Sequence, residues 1–151
     1  MIWPFRRKSK KRMARIVIDE PITSSTRVSV LKALKQIEDR EFPALILRID
    51  SPGGTVGDSQ EIYSAIKRLK EKGCKVVASF GNISASGGVY IGVASDKIVA
   101  NPGTITGSIG VIIRGNNLSE LLNKIGIKFE TVKSGIYKDI LSPDKPLSKE
   151  G

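Results

Sequence analysis

The chain contains no histidine. That absence excludes Ser-His-Asp and Cys-His catalysis, imidazole general bases and every metal site that needs an imidazole. Acid–base chemistry near neutral pH then falls to a shifted Lys, Glu, Asp or Tyr, or to a thiol. Only one cysteine is present, Cys74, which can form neither an intrachain disulfide nor a cysteine cluster. Its place ahead of an apolar segment predicts a space-filling residue rather than a reactive thiol. Without a disulfide framework, the sequence fits a reducing compartment or a protein that needs no staples. No run approaches the roughly 18 apolar residues of a membrane-spanning helix. A cleavable signal places cations ahead of an apolar stretch of about 7–15 residues. Here the cations follow Ile2-Trp3-Pro4-Phe5, and the next apolar stretch, Ile16-Val17-Ile18, stops at Asp19. The expectation is a cytoplasmic chain, or one held peripherally at the cytoplasmic face of a membrane.

What is present describes a globular protein. With 151 residues, 40% of them apolar, the chain can bury the core of one domain or of part of a larger one. Net charge is +10, but residues 1–15 carry Arg6, Arg7, Lys8, Lys10, Lys11, Arg12 and Arg15 with no acid. Setting those seven aside leaves 18 basic against 15 acidic residues, a body of only +3. The organisation expected is therefore a basic, aromatic-led disordered tail over residues 1–13 and a single domain over 14–151. A near-neutral body disfavours nucleic acid as a partner. Aromatics ahead of a polybasic run suit peripheral contact with an anionic membrane, and a solubilising tail is the plainer alternative.

Strand-like and helix-like segments alternate beyond the tail. Strands are predicted at 14–18, 44–49, 75–80, 97–100, 108–113 and 129–133. Helices are predicted from about Thr26 to Arg40, where Val30, Leu31, Leu34 and Ile37 keep helical spacing, and from about Val56 to Lys72. The second carries Ile62, Ala65, Ile66 and Leu69 on one stripe and is closed by Gly73. A short apolar helix follows Gly87-Gly88, and Leu118, Leu121, Leu122 and Ile125 mark another that Gly126 ends. Such alternation implies an α/β fold with a mostly parallel sheet and flanking helices.

Two Gly-rich turns, Ser51-Pro52-Gly53-Gly54 and Ser84-Ala85-Ser86-Gly87-Gly88, follow predicted strands and precede helices. In a parallel sheet such turns gather at the carboxyl ends of strands, where ligands bind. Neither matches a phosphate-binding loop or a dinucleotide fingerprint. Each Gly pair either makes a tight turn only or aims backbone amides at a ligand. Ser86 is placed at a helix start, and the Gly87 amide could serve an oxyanion. Without histidine, a nucleophilic serine needs another base, and a neutral lysine is the obvious one. Desolvation must then lower the lysine from about 10.4 towards neutrality. Many lysines are present, so counting selects none. Lys138 stands out only through its apolar neighbours Ile136, Tyr137 and Ile140, and a solvated loop lysine remains the alternative.

Asp50-Ser51-Pro52-Gly53-Gly54, Ser84-Ala85-Ser86-Gly87-Gly88, Thr106-Gly107-Ser108-Ile109-Gly110-Val111 and Lys133-Ser134-Gly135 with Lys138-Asp139 together resemble the signal peptide peptidase A family of serine peptidases. All four occur in the family's order, between residues 14 and 148. The resemblance implies the Clp protease/crotonase fold and a Ser/Lys dyad. Ser86 then matches the nucleophile, Lys138 the general base, and Ser108 the serine that orients the lysine. Gly53 and Gly87 match the oxyanion hole, and Ser84 is read as a turn residue. The resemblance further implies hydrophobic, signal-peptide-like substrates, a homo-oligomer, and no metal or organic cofactor. Val89 departs from the family, where many members have Tyr. The family's domain normally continues after a segment like Ser142-Pro143, so further helices and strands are expected to complete it.

Two rival readings are a crotonase-like acyl-CoA enzyme, which also uses paired backbone amides, and a non-catalytic homologue that keeps only assembly contacts.

Overall fold

A computed structural model describes residues 12–146, and the basic tail expected over 1–13 falls almost wholly outside them. The described residues form two compact units divided between Gly110 and Val111.

The first unit is built from period-two strands joined by amphipathic helices. Its elements are β1 (Ala14–Ile18), α1 (Ser24–Asp39), β2 (Ala44–Ser51), α2 (Val56–Glu71), β3 (Lys75–Ala85), α3 (Gly87–Gly92), β4 (Lys97–Val99) and β5 (Ile105–Gly107). The strands form one sheet in the order β1-β2-β3-β4, with β5 paired to the far end of β3, and every ladder is parallel. Along β2 the alternation is complete: Leu45, Leu47, Ile49 and Ser51 are buried, whereas Ala44, Ile46, Arg48 and Asp50 are half-buried on the other face. Helices α1 and α2 pack against each other and set Val30, Leu34, Ile37, Ile62, Ile66 and Leu69 into the core with the buried strand residues. Each such aliphatic side chain stabilises the fold by about 1.5–3 kcal/mol on burial.

The helix ends follow local chemistry. At the start of α1, the Thr26 hydroxyl accepts the Thr23 amide at 3.4 Å. Gly73 ends α2 with φ +93°, where its amide donates to Lys70 O and that of Cys74 to Leu69 O. This is the left-handed closure that glycine allows. Cys74 is buried just before β3, as expected, and burial pushes its thiol pKa up.

The second unit contains α4 (Ser119–Lys124), shorter than expected and ended by Gly126 at φ +76°. Two predicted strands do not form. Residues 108–113 lie past β5, which occupies 105–107 instead, and residues 129–133 have no regular structure. Their β-branched composition suits a strand, but a strand needs a neighbour to take its amides and carbonyls. Val111, Ile112, Ile113 and Val132 are exposed. Among the described residues, no helix is long and apolar enough to cross a membrane.

Candidate active site

The two Gly-rich turns meet at the carboxyl end of the sheet. β3 ends at Ala85, α3 begins at Gly87, and Ser86 forms the corner between them with φ 50° and ψ −118°. A non-glycine residue there carries about 1–3 kcal/mol of backbone strain, which persists only when its surroundings hold it. Both sides do hold it: the Ser86 amide donates to Gly107 O at 2.8 Å, and the Tyr90 amide donates to Ser86 O at 3.0 Å. Ser86 as a whole is half-buried, so this fixed corner is reached by solvent.

The Ser51–Gly54 turn presses against this corner. Gly53 has φ +98°, and a Cβ on it would stand 2.8 Å from Ala85 O, Gly87 N and Ser86 Cβ. Only glycine admits that approach. Gly87 is equally confined, since a Cβ there would lie 2.4 Å from Ser59 Oγ and 3.4 Å from Gly54 N. As the first residue of α3, Gly87 has an amide without an acceptor inside the helix.

Gly53 is also held through its own backbone. Its amide donates to Ser51 Oγ at 3.2 Å and its carbonyl accepts the Ile22 amide at 2.9 Å. The Gly53 backbone is thus engaged on both sides, and Gly54 N would lie 3.4 Å from a Cβ on Gly87. Gly54 is itself fixed by a parallel bridge to Ile22, whose carbonyl would lie 1.9 Å from a Cβ on it. The resemblance singled out Gly53 of this pair for the oxyanion hole, and the contacts of its amide and carbonyl depend on where Ser51 and Ile22 lie.

Ser84, read from sequence as a turn residue, is instead inside β3, opposite Ser51 on β2 and Thr106 on β5. It is fully buried, which leaves Ser86 as the accessible serine of the segment. Ser108 follows Gly107, the residue whose carbonyl takes the Ser86 amide. It is exposed, with φ 52°. The sheet register thus brings Ser86 and the Ser108 segment side by side.

Lys138 lies in the other unit, exposed, within a run of turns over 134–141. Beside it, Lys133 donates to Asp139 at 2.7 Å and to Ile136 O at 3.2 Å, and Lys145 pairs with the same carboxylate. The Lys133 hydrogen bond and then the Lys145 one hold the Asp139 pKa down at about 2. Lys138 takes no part in this cluster, and among the described residues no carboxylate lies within ion-pair distance of it.

A sequence model of peptidase family S49 matches residues 68–151, more than half of the chain, and one of Clp protease matches residues 7–104. The chain belongs to peptidase family S49. "Putative protease slr0021" of Synechocystis sp. is 63% identical over 150 residues, which are 99% of this chain and 54% of that protein. "Serine protease SPPA, chloroplastic" of Arabidopsis thaliana is 41% identical over 114 residues, 75% of this chain and 17% of that protein. Among solved structures, a serine-to-alanine mutant of the 1510-N membrane-bound stomatin-specific protease superposes with a TM-score of 0.63 at 26% identity. That match covers 72% of this chain and 52% of the other. The same protease, solved with a substrate peptide, gives a TM-score of 0.57 at 28% identity over 70% of this chain and 47% of that one. The α/β fold with its parallel sheet is thus of the Clp protease type, and the resemblance to the signal peptide peptidase A family holds. The chain spans about half the length of the Synechocystis relative and a smaller share of the plant one.

Proposed function

We propose that this S49 chain carries the catalytic groups of a serine endopeptidase working through a Ser86/Lys138 dyad. In this reading, neutral Lys138 accepts the Ser86 Oγ proton as the oxygen attacks the scissile carbonyl carbon. The tetrahedral oxyanion is held by the Gly87 amide and by the Gly53 turn pressed against it. Collapse breaks the C–N bond, the leaving amine takes the proton from Lys138, and a water then hydrolyses the acyl-enzyme with the same lysine as base. Ser108 orients the lysine. Hydrophobic peptides, released signal peptides among them, are the proposed substrates. The match to Clp protease supports assembly of several copies into a homo-oligomer.

The observation that carries this reading is the Ser86 corner, a strained, doubly anchored serine with Gly53 pressed against it. Lys138 is exposed in the described chain, so the desolvation that a lysine base requires comes from bound peptide or neighbouring protein.

The test uses the full-length protein with a fluorophosphonate probe and a hydrophobic peptide. Ser86→Ala abolishes labelling and turnover, and Lys138→Ala lowers both by about 10²–10⁴-fold, the range of a lost general base. Labelling that persists in Ser86→Ala overturns the reading. A thermal shift on adding CoA, with no labelling at all, replaces it by an acyl-CoA enzyme.

A further inference from the structure

The approach of β3 to the Ser86 corner is irregular. Ile49 pairs with Phe80, but the next pair is Ser51 with Ser84, so Asp50 alone faces Gly81, Asn82 and Ile83. Such a bulge breaks the ladder and leaves backbone groups to be satisfied elsewhere. Side chains satisfy them here. Asp50 Oδ1 accepts the Ile83 amide at 3.1 Å, Arg48 Nη1 donates to Phe80 O at 2.9 Å and to Ser79 Oγ at 3.0 Å, and Thr104 Oγ1 donates to Gly81 O at 2.8 Å. Gly81 makes room for this, since a Cβ there would lie 2.3 Å from the Asp50 carboxyl carbon. The Ile83 amide, the Asn82 amide and the Arg48 charge hold the Asp50 carboxyl below the usual carboxylate range, so it is an anion throughout the neutral region.

The bulge changes β3's partner. Before it, Val77–Ser79 pair with β4; after it, Ile83–Ala85 pair with β5, whose Gly107 carbonyl takes the Ser86 amide. Bulges commonly re-aim a strand next to a reactive group. We propose that Asp50, with Arg48 and Thr104, forms a positioning network that fixes the β3 bulge and thereby delivers Ser86 to its corner against Gly53 and Gly107. This rests on the reading of Ser86 as nucleophile. None of the three side chains touches the reacting atoms, so each acts through the backbone of β3.

The test compares Asp50→Ala, Asp50→Asn, Thr104→Val and Thr104→Ser in the full-length protein. It measures kcat and KM on a hydrophobic peptide, the fluorophosphonate labelling rate and Tm. Misplacing a nucleophile by about 1 Å can cost up to ~10²-fold. Asp50→Ala and Thr104→Val are therefore expected to lower kcat and labelling by about 10–100-fold, with KM within about twofold. Asp50→Asn keeps an oxygen for the Ile83 amide and Thr104→Ser keeps the hydroxyl, so both recover most of the loss. Wild-type kcat in folded Asp50→Ala overturns the proposal, and where that variant does not fold, wild-type kcat in Thr104→Val does so. Ser86→Ala run alongside separates the two readings. If it is inactive while the Asp50 and Thr104 variants keep full kcat, only the positioning role fails. If it retains activity, the nucleophile assignment fails and the positioning role with it.

Discussion

Lys133 and Lys138 stand five residues apart in one loop, yet Asp139 engages only the first of them. Its carboxylate takes hydrogen bonds from Lys133 and Lys145, leaving the Lys138 amine outside the cluster. Because the folded-state pKa is depressed to about 2, the stabilisation from this cluster is fully present above the ordinary value of 3.8. It fades as pH falls through about 2. Carboxyl resonances followed by NMR should show Asp139 titrating near that value, and Lys133→Ala should move its midpoint upward. A midpoint already at the ordinary Asp value in the wild type would remove the cluster from the account. The sequence placed both lysines and the aspartate in one motif, but side-chain pairing within a loop has no periodicity to reveal it.

Helix α3 has only six residues, too few to be held by its own hydrogen bonds, so its placement depends on α2. Tyr90 supplies much of that link: its ring stacks on Tyr63 with centroids 4.9 Å apart, and its hydroxyl hydrogen-bonds Gln60. Aromatic pairs contribute about 0.5–1.5 kcal/mol beyond their burial. Tyr90→Ala is expected to cost about 2 kcal/mol by urea unfolding, and Tyr90→Phe, which keeps the stack, under about 1 kcal/mol. Equal losses for the two variants would assign the link to the hydroxyl instead. Elements defined by burial periodicity, β1, β2, α1 and α2, were legible in the sequence to within two or three residues. β3 was read only as far as Phe80, because Gly81-Asn82 resembles a turn until Asp50 and Thr104 are seen to satisfy it. The apolar run 108–113 misled for the opposite reason, since composition announces a strand and only a neighbouring ladder makes one. The serine corner could be found because its Gly pairs are local. Ser86 was ranked above Ser84 on the family's pattern alone, and the burial of Ser84 inside β3 adds the physical reason.

Across the whole chain, charge is separated from fold. The body beyond residue 15 carries only +3 of the +10, so any long-range attraction to an anionic surface belongs to the amino-terminal segment. Basic residues near an anionic membrane contribute about 1 kcal/mol each and are screened within a Debye length of ~8 Å at physiological salt. Residues 1–13 hold six of the cations, together with Trp3 and Phe5, whose rings suit the lipid interface. Deleting residues 1–13 should therefore lower binding to vesicles containing phosphatidylserine by more than about 10²-fold, and raising the salt should weaken the intact chain in the same direction. Neutral phosphatidylcholine vesicles should bind poorly in both forms, because the aromatic pair alone buries little apolar area. Sedimentation with the two vesicle types measures this directly. Equal binding by the intact and deleted chains would shift the contact to the body, where the exposed Val111, Ile112 and Ile113 would then be the residues to vary.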